Sequence, residues 1–290
     1  MYLQIEDEFG DVVGKARRGQ EISVADLARQ VGMSVEDVER LEAYELVPGD
    51  DAIDRLARIL GLHGRKLRAI AARRYFPLYP AGRPVPDLVV EMMALGSDFQ
   101  ANGYLVGCAA TGRGAVIDPG FEAEKILKTV EASGLEIVVI LLTHGHGDHA
   151  GALSELCQAM EAPALVGQAD LPLLGDLQTK IEGTLADGQE IALGDQVLTA
   201  RATPGHTPGS TCLVHPRVAF TGDALFAGSL GGTRRRTDYD GQRQAVERHI
   251  LGLEERTVLY PGHGPATTVA EERASNPFFT RDAWGATSDR

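Results

Sequence analysis

Thr143-His144-Gly145-His146-Gly147-Asp148-His149-Ala150-Gly151 places four residues with metal-ligating side chains in six positions. Imidazole nitrogens and carboxylate oxygens are the donors that divalent first-row metals accept. Glycines 145 and 147 remove side chains and permit an unusual backbone turn, so His144 and His146 can converge on one cation while Asp148 and His149 face a second position. The run before the motif, Ile137-Val138-Val139-Ile140-Leu141-Leu142, reads as a buried strand, and Ala152 to Met160 after it fits a helix. The motif therefore sits at a strand-to-helix corner, where α/β proteins commonly build sites.

The same arrangement recurs downstream. Val197 to Thr203 leads into Pro204-Gly205-His206-Thr207-Pro208-Gly209, Val218 to Thr221 into Gly222-Asp223, and Val258-Leu259-Tyr260 into Pro261-Gly262-His263-Gly264-Pro265. Singly, His206 or His263 reads as an ordinary hydrogen-bonded histidine, and Gly-Asp as a turn. Jointly they do not, because five of the eight histidines lie in these glycine-flanked strand-end loops, leaving only His63, His215 and His249 elsewhere.

With these residues in this order the sequence resembles the metallo-β-lactamase superfamily, and within it the glyoxalase II-type hydrolases, over about residues 87 to 280. The resemblance implies an α/β fold, an αββα sandwich with its site at one edge of two sheets. It further implies two divalent cations, zinc first, with iron or manganese as alternatives: one on His144, His146 and His206, the other on Asp148, His149 and His263, with Asp223 bridging them. Asp148 and Asp223 are then the catalytic carboxylates. Asp118, in Val116-Ile117-Asp118-Pro119-Gly120, matches the acid that orients a ligand histidine through its free ring nitrogen, although the local sequence equally fits a turn-capping aspartate. True β-lactamases generally lack the bridging carboxylate, so antibiotic hydrolysis is not expected. Thr267-Thr268 to Glu272 and Asn276-Pro277-Phe278-Phe279 also look like the tail of short glyoxalase II-type proteins.

The chemistry expected of such a centre is hydrolysis by a metal-bridging hydroxide. Paired cations roughly 3.5 to 4 Å apart bring a shared water toward a pKa of ~7 and polarise the carbonyl under attack. The resemblance implies a thioester of a 2-hydroxyacid, such as S-lactoylglutathione. The 27 residues after His263 are too few for the helical domain with which longer glyoxalase II enzymes hold glutathione, leaving the thiol carrier open. Arg234, Arg235 and Arg236, with Tyr239 nearby, read either as a hold on an anionic substrate tail or as a solvated or interface loop. Two other functions fit the motifs: a persulfide dioxygenase with a single iron on His144, His206 and Asp223, and a regulator whose metal domain senses a metabolite.

Toward the amino terminus the pattern changes. Tyr75 to Pro86 carries four prolines in ten positions and reads as a linker, dividing a helical segment (1–74) from the metal-binding region (87–290). Apolar residues recur at helical spacing from Ser23 to Leu41, with Ser23 and Ser34 as expected N-caps and Gly32 as the turn between two helices. With a further helix expected over Ala52 to Leu62, residues 8 to 72 resemble the small repressor-type helix-turn-helix domains. A DNA-reading helix is usually basic, whereas this one offers Glu36, Asp37, Glu39 and Glu42 against Arg40. Residues 1 to 80 hold 12 basic and 14 acidic groups. Dimerisation or docking is therefore expected ahead of DNA binding. The cluster Arg65, Lys66, Arg68, Arg73 and Arg74 is the best argument for DNA, and reads alternatively as a solvated helix face.

The 290-residue chain has an ordinary globular composition, 43% hydrophobic and 24% charged. It carries no apolar run near the ~20 residues that span a bilayer. Acidic residues at positions 6 to 8 do not suit a secretory signal, so a cytoplasmic location is expected. A net charge of -13 discourages loose binding to nucleic acid. Cys108, Cys157 and Cys212 are widely spaced and expected to be buried, inert thiols.

Overall fold

A computed structural model describes residues 4–78, 85–96 and 101–280. Of the expected linker, residues 79–84 lie outside the described residues. The described residues of the amino-terminal segment form five helices: α1 (Phe9–Gly19), α2 (Val24–Val31), α3 (Val35–Glu42), α4 (Asp50–Leu60) and α5 (Gly64–Ala71). The Ser23 and Ser34 hydroxyls accept the backbone N–H groups of Asp26 and Asp37, each at 3.0 Å, which satisfies donors that an α-helix start leaves orphaned. Gly32 closes α2 in the left-handed conformation. The helix expected from Ala52 begins at Asp50, because Gly49 supplies the extended cap residue, and stops at Leu60 before left-handed Gly61.

From residue 88 onward, twelve strands among the described residues form two sheets. The first runs in sequence order, β1 (Leu88–Leu95), β2 (Ala101–Cys108), β3 (Arg113–Ile117), β4 (Glu136–Leu141), β5 (Ala164–Gly167) and β6 (Ile181–Leu185), antiparallel through β3 and parallel after it. The second sheet holds β7 (Glu190–Leu193), β8 (Gln196–Ala202), β9 (Thr211–His215), β10 (Val218–Gly222), β11 (Val258–Pro261) and β12 (Thr267–Thr268), with β10 and β11 its parallel pair. The helices of this part are α6 (Ala123–Ser133), one-turn α7 (Gly147–Ala150), α8 (Leu153–Met160), α9 (Arg236–His249) and α10 (Val269–Ser275), besides a 3₁₀ segment over Gln168–Lys180.

Side-chain alternation along the strands builds the layers. On β2, Leu105 joins a cluster with Ile126 of α6 and Leu156 of α8, whereas Tyr104 and Val106 turn inward to meet Val218 and Phe220 of β10. On β10 itself, Ala219 turns the other way, into a cluster with Val246 of α9 and Val269 of α10. The sequence of layers is helices, sheet, sheet, helices, the αββα sandwich.

The amino-terminal helices extend the outer helical layer. Val12, Leu27, Leu41 and Leu56 belong to the same apolar cluster as Ala219, Val246 and Phe278. Polar contacts reinforce it. Lys66, only 4% exposed, donates through Nζ to the carbonyls of Arg273 and Phe279, both at 2.8 Å. The reading of the Arg65–Arg74 cluster as one solvated face therefore fails at Lys66. Arg68 and Arg73 pair with Asp54 and Glu8, both at 2.9 Å. Cys108 and Cys212 are buried as expected, but Cys157 on α8 is only partly covered. No helix among the described residues is long and apolar enough to cross a membrane.

Candidate metal centre

β4 delivers its chain between parallel neighbours β3 and β5, and the backbone leaves the sheet at Leu142 into the loop bearing His144 and His146. The single turn of α7 then presents Asp148 and His149. His206 follows β8, Asp223 follows β10 and His263 follows β11, so four strand ends bring all seven side chains to one edge of the sandwich. Ring nitrogens or carboxylate oxygens of His144, His146 and His206 lie within 4.8 Å of one another, as do those of Asp148, His149 and His263, and those of His144, His149 and Asp223.

Hydrogen bonds behind the cluster decide which ring nitrogens face it. His206 Nδ1 donates to the Gly232 carbonyl at 2.9 Å, which can only accept, so its Nε2 carries a free lone pair. Thr143 gives its one hydroxyl proton to Asp118 Oδ2 at 2.6 Å and must accept from His144 Nδ1 at 3.2 Å, which leaves the His144 Nε2 lone pair free as well. Both lone pairs point at His146 Nδ1, each at 3.0 Å. A single proton on His146 can satisfy one of them, never both. A cation among the three nitrogens satisfies all of them, and this donor set is the one such cations take.

The second group makes the same case through charge. Burial opposes a proton on His149, yet Asp223 and Asp118 outweigh it and raise the imidazole above its ordinary value. Burial also disfavours the Asp223 carboxylate, but His149, His144, His206 and His263 hold it far below the usual range. His144, by contrast, is pushed well down by burial and neighbouring imidazoles, and stays neutral. Asp223 Oδ1 is buried without a hydrogen-bond donor, 3.5 Å from His149 Nε2, while Oδ2 stands 3.3 Å from His206 Nε2. A carboxylate so placed between two nitrogen-rich groups calls for positive charge on both sides. The residues present thus fit a pair of divalent cations. Gly262 makes room for this packing: a Cβ there would stand 2.2 Å from Asp223 Oδ1 and 2.8 Å from His149.

Asp118 does more than cap a turn. It accepts from the Thr143 N–H at 2.7 Å, from the Thr143 hydroxyl, and from His149 Nδ1 at 3.1 Å, so one carboxylate orients two histidines. Asp170, which no sequence motif marked, has a matching role. Fully buried, it accepts from Gly145 N at 2.9 Å, Thr207 Oγ1 at 2.7 Å and Gly209 N at 2.6 Å, tying the His144 loop to the His206 loop. Gln242 of α9 holds the chain after Asp223, its amide 3.1 Å from the carbonyls of Ala224 and Gly231. Neither residue carries a local signal, because each acts on chain segments distant in sequence.

A cavity of about 930 Å³ opens beside His146 and His206, and Arg234 and Arg235 line it. Arg236 and Tyr239 do not line it. α9 begins at Arg236, whose guanidinium pairs with Asp240 at 3.2 Å, and helical rotation turns Tyr239 inward, 3% exposed, against Phe278. Of the four residues read either as a hold on an anionic tail or as a solvated or interface loop, only Arg234 and Arg235 border the cavity, and Arg236 and Tyr239 belong to α9 rather than to a loop.

A two-sheet sandwich with a histidine- and aspartate-rich cluster where its strand ends meet defines a class of metal-binding hydrolases. The family model of the metallo-beta-lactamase superfamily matches residues 96–263, and the chain belongs to that superfamily. The chain is 35% identical over 183 residues to a protein of Haemophilus influenzae described as hydroxyacylglutathione hydrolase GloC, covering 57% of this chain and 86% of that one. Among solved structures it is similar to TTHA1623 in a di-iron-bound form (30% identity, TM-score 0.55, 71% of this chain and 100% of that one). It is also similar to ETHE1 from Myxococcus xanthus (27% identity, TM-score 0.58, 65% and 83%). The metallo-beta-lactamase fold is one that binds divalent metals.

Proposed function

We propose that this chain hydrolyses acyl thioesters of the hydroxyacyl-thiol class. The observation that carries the reading is the pair of three-residue groups on either side of Asp223, opening onto a cavity with cationic residues at its rim. Two divalent cations, on His144, His146 and His206 and on Asp148, His149 and His263, would supply Lewis acidity and a water acidified toward neutrality. The protein's own contribution is positional. Asp118, directly and through Thr143, fixes the rings of His149 and His144, and Asp170 holds the two loops in register. His146 and His206 border the cavity, so a bound acyl group would meet the centre on their side. Arg234 and Arg235 suit an anionic tail on the thiol carrier. The 35% identity to the hydroxyacylglutathione hydrolase supports the same substrate class.

For α1–α5 we propose docking rather than reading of DNA, supported by the acidic α3 and by the internal partners of Lys66, Arg68 and Arg73. The decisive experiment on the reaction is elemental analysis of the purified chain combined with hydrolysis of S-lactoylglutathione. About two zinc, iron or manganese ions per chain together with metal-dependent hydrolysis is the expected result. A single iron per chain without hydrolysis overturns the reading in favour of persulfide oxygenation.

A further inference from the structure

The family model starts at residue 96, yet the cavity beside His146 and His206 is lined by a residue far upstream of it, Arg18 on α1. Three observations hold Arg18 there. First, its neighbour Arg17 anchors the helix, with Nε and Nη2 on the two Glu42 oxygens at 2.6 and 2.7 Å and Nη1 on the Ile22 carbonyl at 2.9 Å. Glu42 is thereby satisfied by Arg17, and Arg18 touches it only at 3.4 Å, with 52% of its own side chain exposed. Second, α1 ends against the cavity wall: a Cβ on Gly19 would stand 2.6 Å from both Thr233 Oγ1 and the Tyr239 ring, so the helix end and the loop before α9 are in direct contact. Third, the Arg18 guanidinium lies where a side chain at position 14 would go, 2.8 Å from a Cβ built on Gly14. A mid-helix glycine is otherwise unfavourable, and here it leaves room for that guanidinium.

The same cavity is lined by Arg234, which has no ion-pair partner among the described residues, and by Arg235, whose charge is largely met by Asp238 at 2.8 Å. Two arginines without a saturated partner thus face one opening in a protein of net charge -13. Like charges gathered at a concave mouth raise the local concentration of oppositely charged ligand, and guanidinium forks suit carboxylate and phosphate oxygens.

We infer that α1 is a wall of the substrate site, and that Arg18 with Arg234 grips the anionic group of the thiol carrier, a carboxylate or a phosphate. The inference deepens the acyl-thiol reading and rests on it for the carrier's identity. The docking partner of the amino-terminal helices is, in this view, the chain's own metal-binding domain, and substrate selection is what the docking accomplishes.

The test is calorimetric binding to the full-length, metal-loaded chain of three S-methylated thiols that cannot ligate through a thiolate. These are S-methylglutathione (carboxylates), S-methyl-coenzyme A (phosphates) and S-methylpantetheine (uncharged). The expected result is that one charged compound binds at least about tenfold more tightly than the uncharged one, with affinity falling as salt rises. Which of the two it is identifies the anion. Arg18→Ala and Arg234→Ala should each weaken that compound about three- to tenfold with no effect on S-methylpantetheine, Arg18→Lys should recover part of the loss, and Arg236→Ala should change nothing. Equal binding of all three compounds, or a preference untouched in Arg18→Ala, overturns the inference. Because binding is read without turnover, hydrolysis of S-lactoylglutathione in the absence of any charge preference would sink the clamp and spare the hydrolase. A charge preference without hydrolysis would do the reverse.

Discussion

Single carboxylates carry unequal burdens at this site, and their surroundings say how substitutions should differ. Asp223 is the side chain that faces both nitrogen-rich groups, so Asp223→Ala removes the shared partner. Turnover of a thioester should fall by several orders of magnitude and metal content should drop below two per chain. Near-normal hydrolysis in that variant would defeat the proposed mechanism. Asp170 touches no reacting atom, and its substitution should read out differently. Asp170→Asn keeps the shape but turns an amide N–H₂ toward donors, leaving at least one of Gly145 N, Thr207 Oγ1 and Gly209 N unsatisfied in a buried place. That costs about 1–3 kcal/mol, and loosening the ligand loops should weaken metal binding about 10- to 100-fold, the usual effect of losing a partner behind the ligands. Urea unfolding and competition with a chelator measure the two effects separately, and a variant normal in both would show the loops to be held by other contacts. His144, His146, Asp148 and His149 were legible because they are adjacent in sequence and end an apolar run. Asp170 was not, since its meaning lies in loops 25 to 39 residues away.

Between elements, the seam of α5, α10 and the loop after β10 turns on one buried acid. Glu272 of α10 is fully buried and accepts from Tyr75 Oη, Thr267 Oγ1 and Asn276 Nδ2, each at 2.8 Å, and from Gly228 N. Burial nevertheless dominates and raises its carboxyl from 4.5 to about 6. The folded state therefore binds this proton more tightly than the unfolded chain does. The resulting stabilisation is complete below pH 4.5 and is lost as pH rises through 6, a change of about 2 kcal/mol. Glu272→Gln should remove that slope. Its amide also sets donors against donors, so the variant should be less stable than the parent at pH 4.5. Urea midpoints of both chains at pH 4.5 and 7, taken as a difference, cancel the titration of the histidine cluster. Parallel pH profiles would show that Glu272 titrates normally. The starts of α2 and α3 were legible from Ser23 and Ser34, whose hydroxyls act within their own turn. Lys66 was misread because its partners are carbonyls more than 200 residues later.

For the molecule as a whole, the αββα order was implied by the family resemblance, which rests on four apolar runs that each end in a ligand-bearing glycine turn. The position of the amino-terminal helices had no such signature. Their apolar faces are equally consistent with closing on themselves, on a second copy or on the sandwich, and the choice is made by contacts such as Ile70 and Tyr75 against Gly228 and Gly19 against Tyr239. Those contacts join the helices and the outer face of the second sheet into one cluster. Elements that share a core lose it together, so heating the full chain should give one calorimetric transition whose van't Hoff and calorimetric enthalpies agree. A chain beginning at residue 85 would lose the Tyr75 donor to Glu272 and the Lys66 donor to Arg273 and Phe279, and would expose apolar surface now covered. Each large side chain uncovered costs about 1.5–3 kcal/mol, so losing even a few such contacts approaches the whole stability of a domain, about 5–15 kcal/mol. The shortened chain should therefore aggregate or melt far below the parent. Two separate transitions in the full chain, or a shortened chain that melts at the parent temperature, would mean that the helices and the sandwich fold as independent bodies and that the contact of α1 with the cavity contributes nothing to stability.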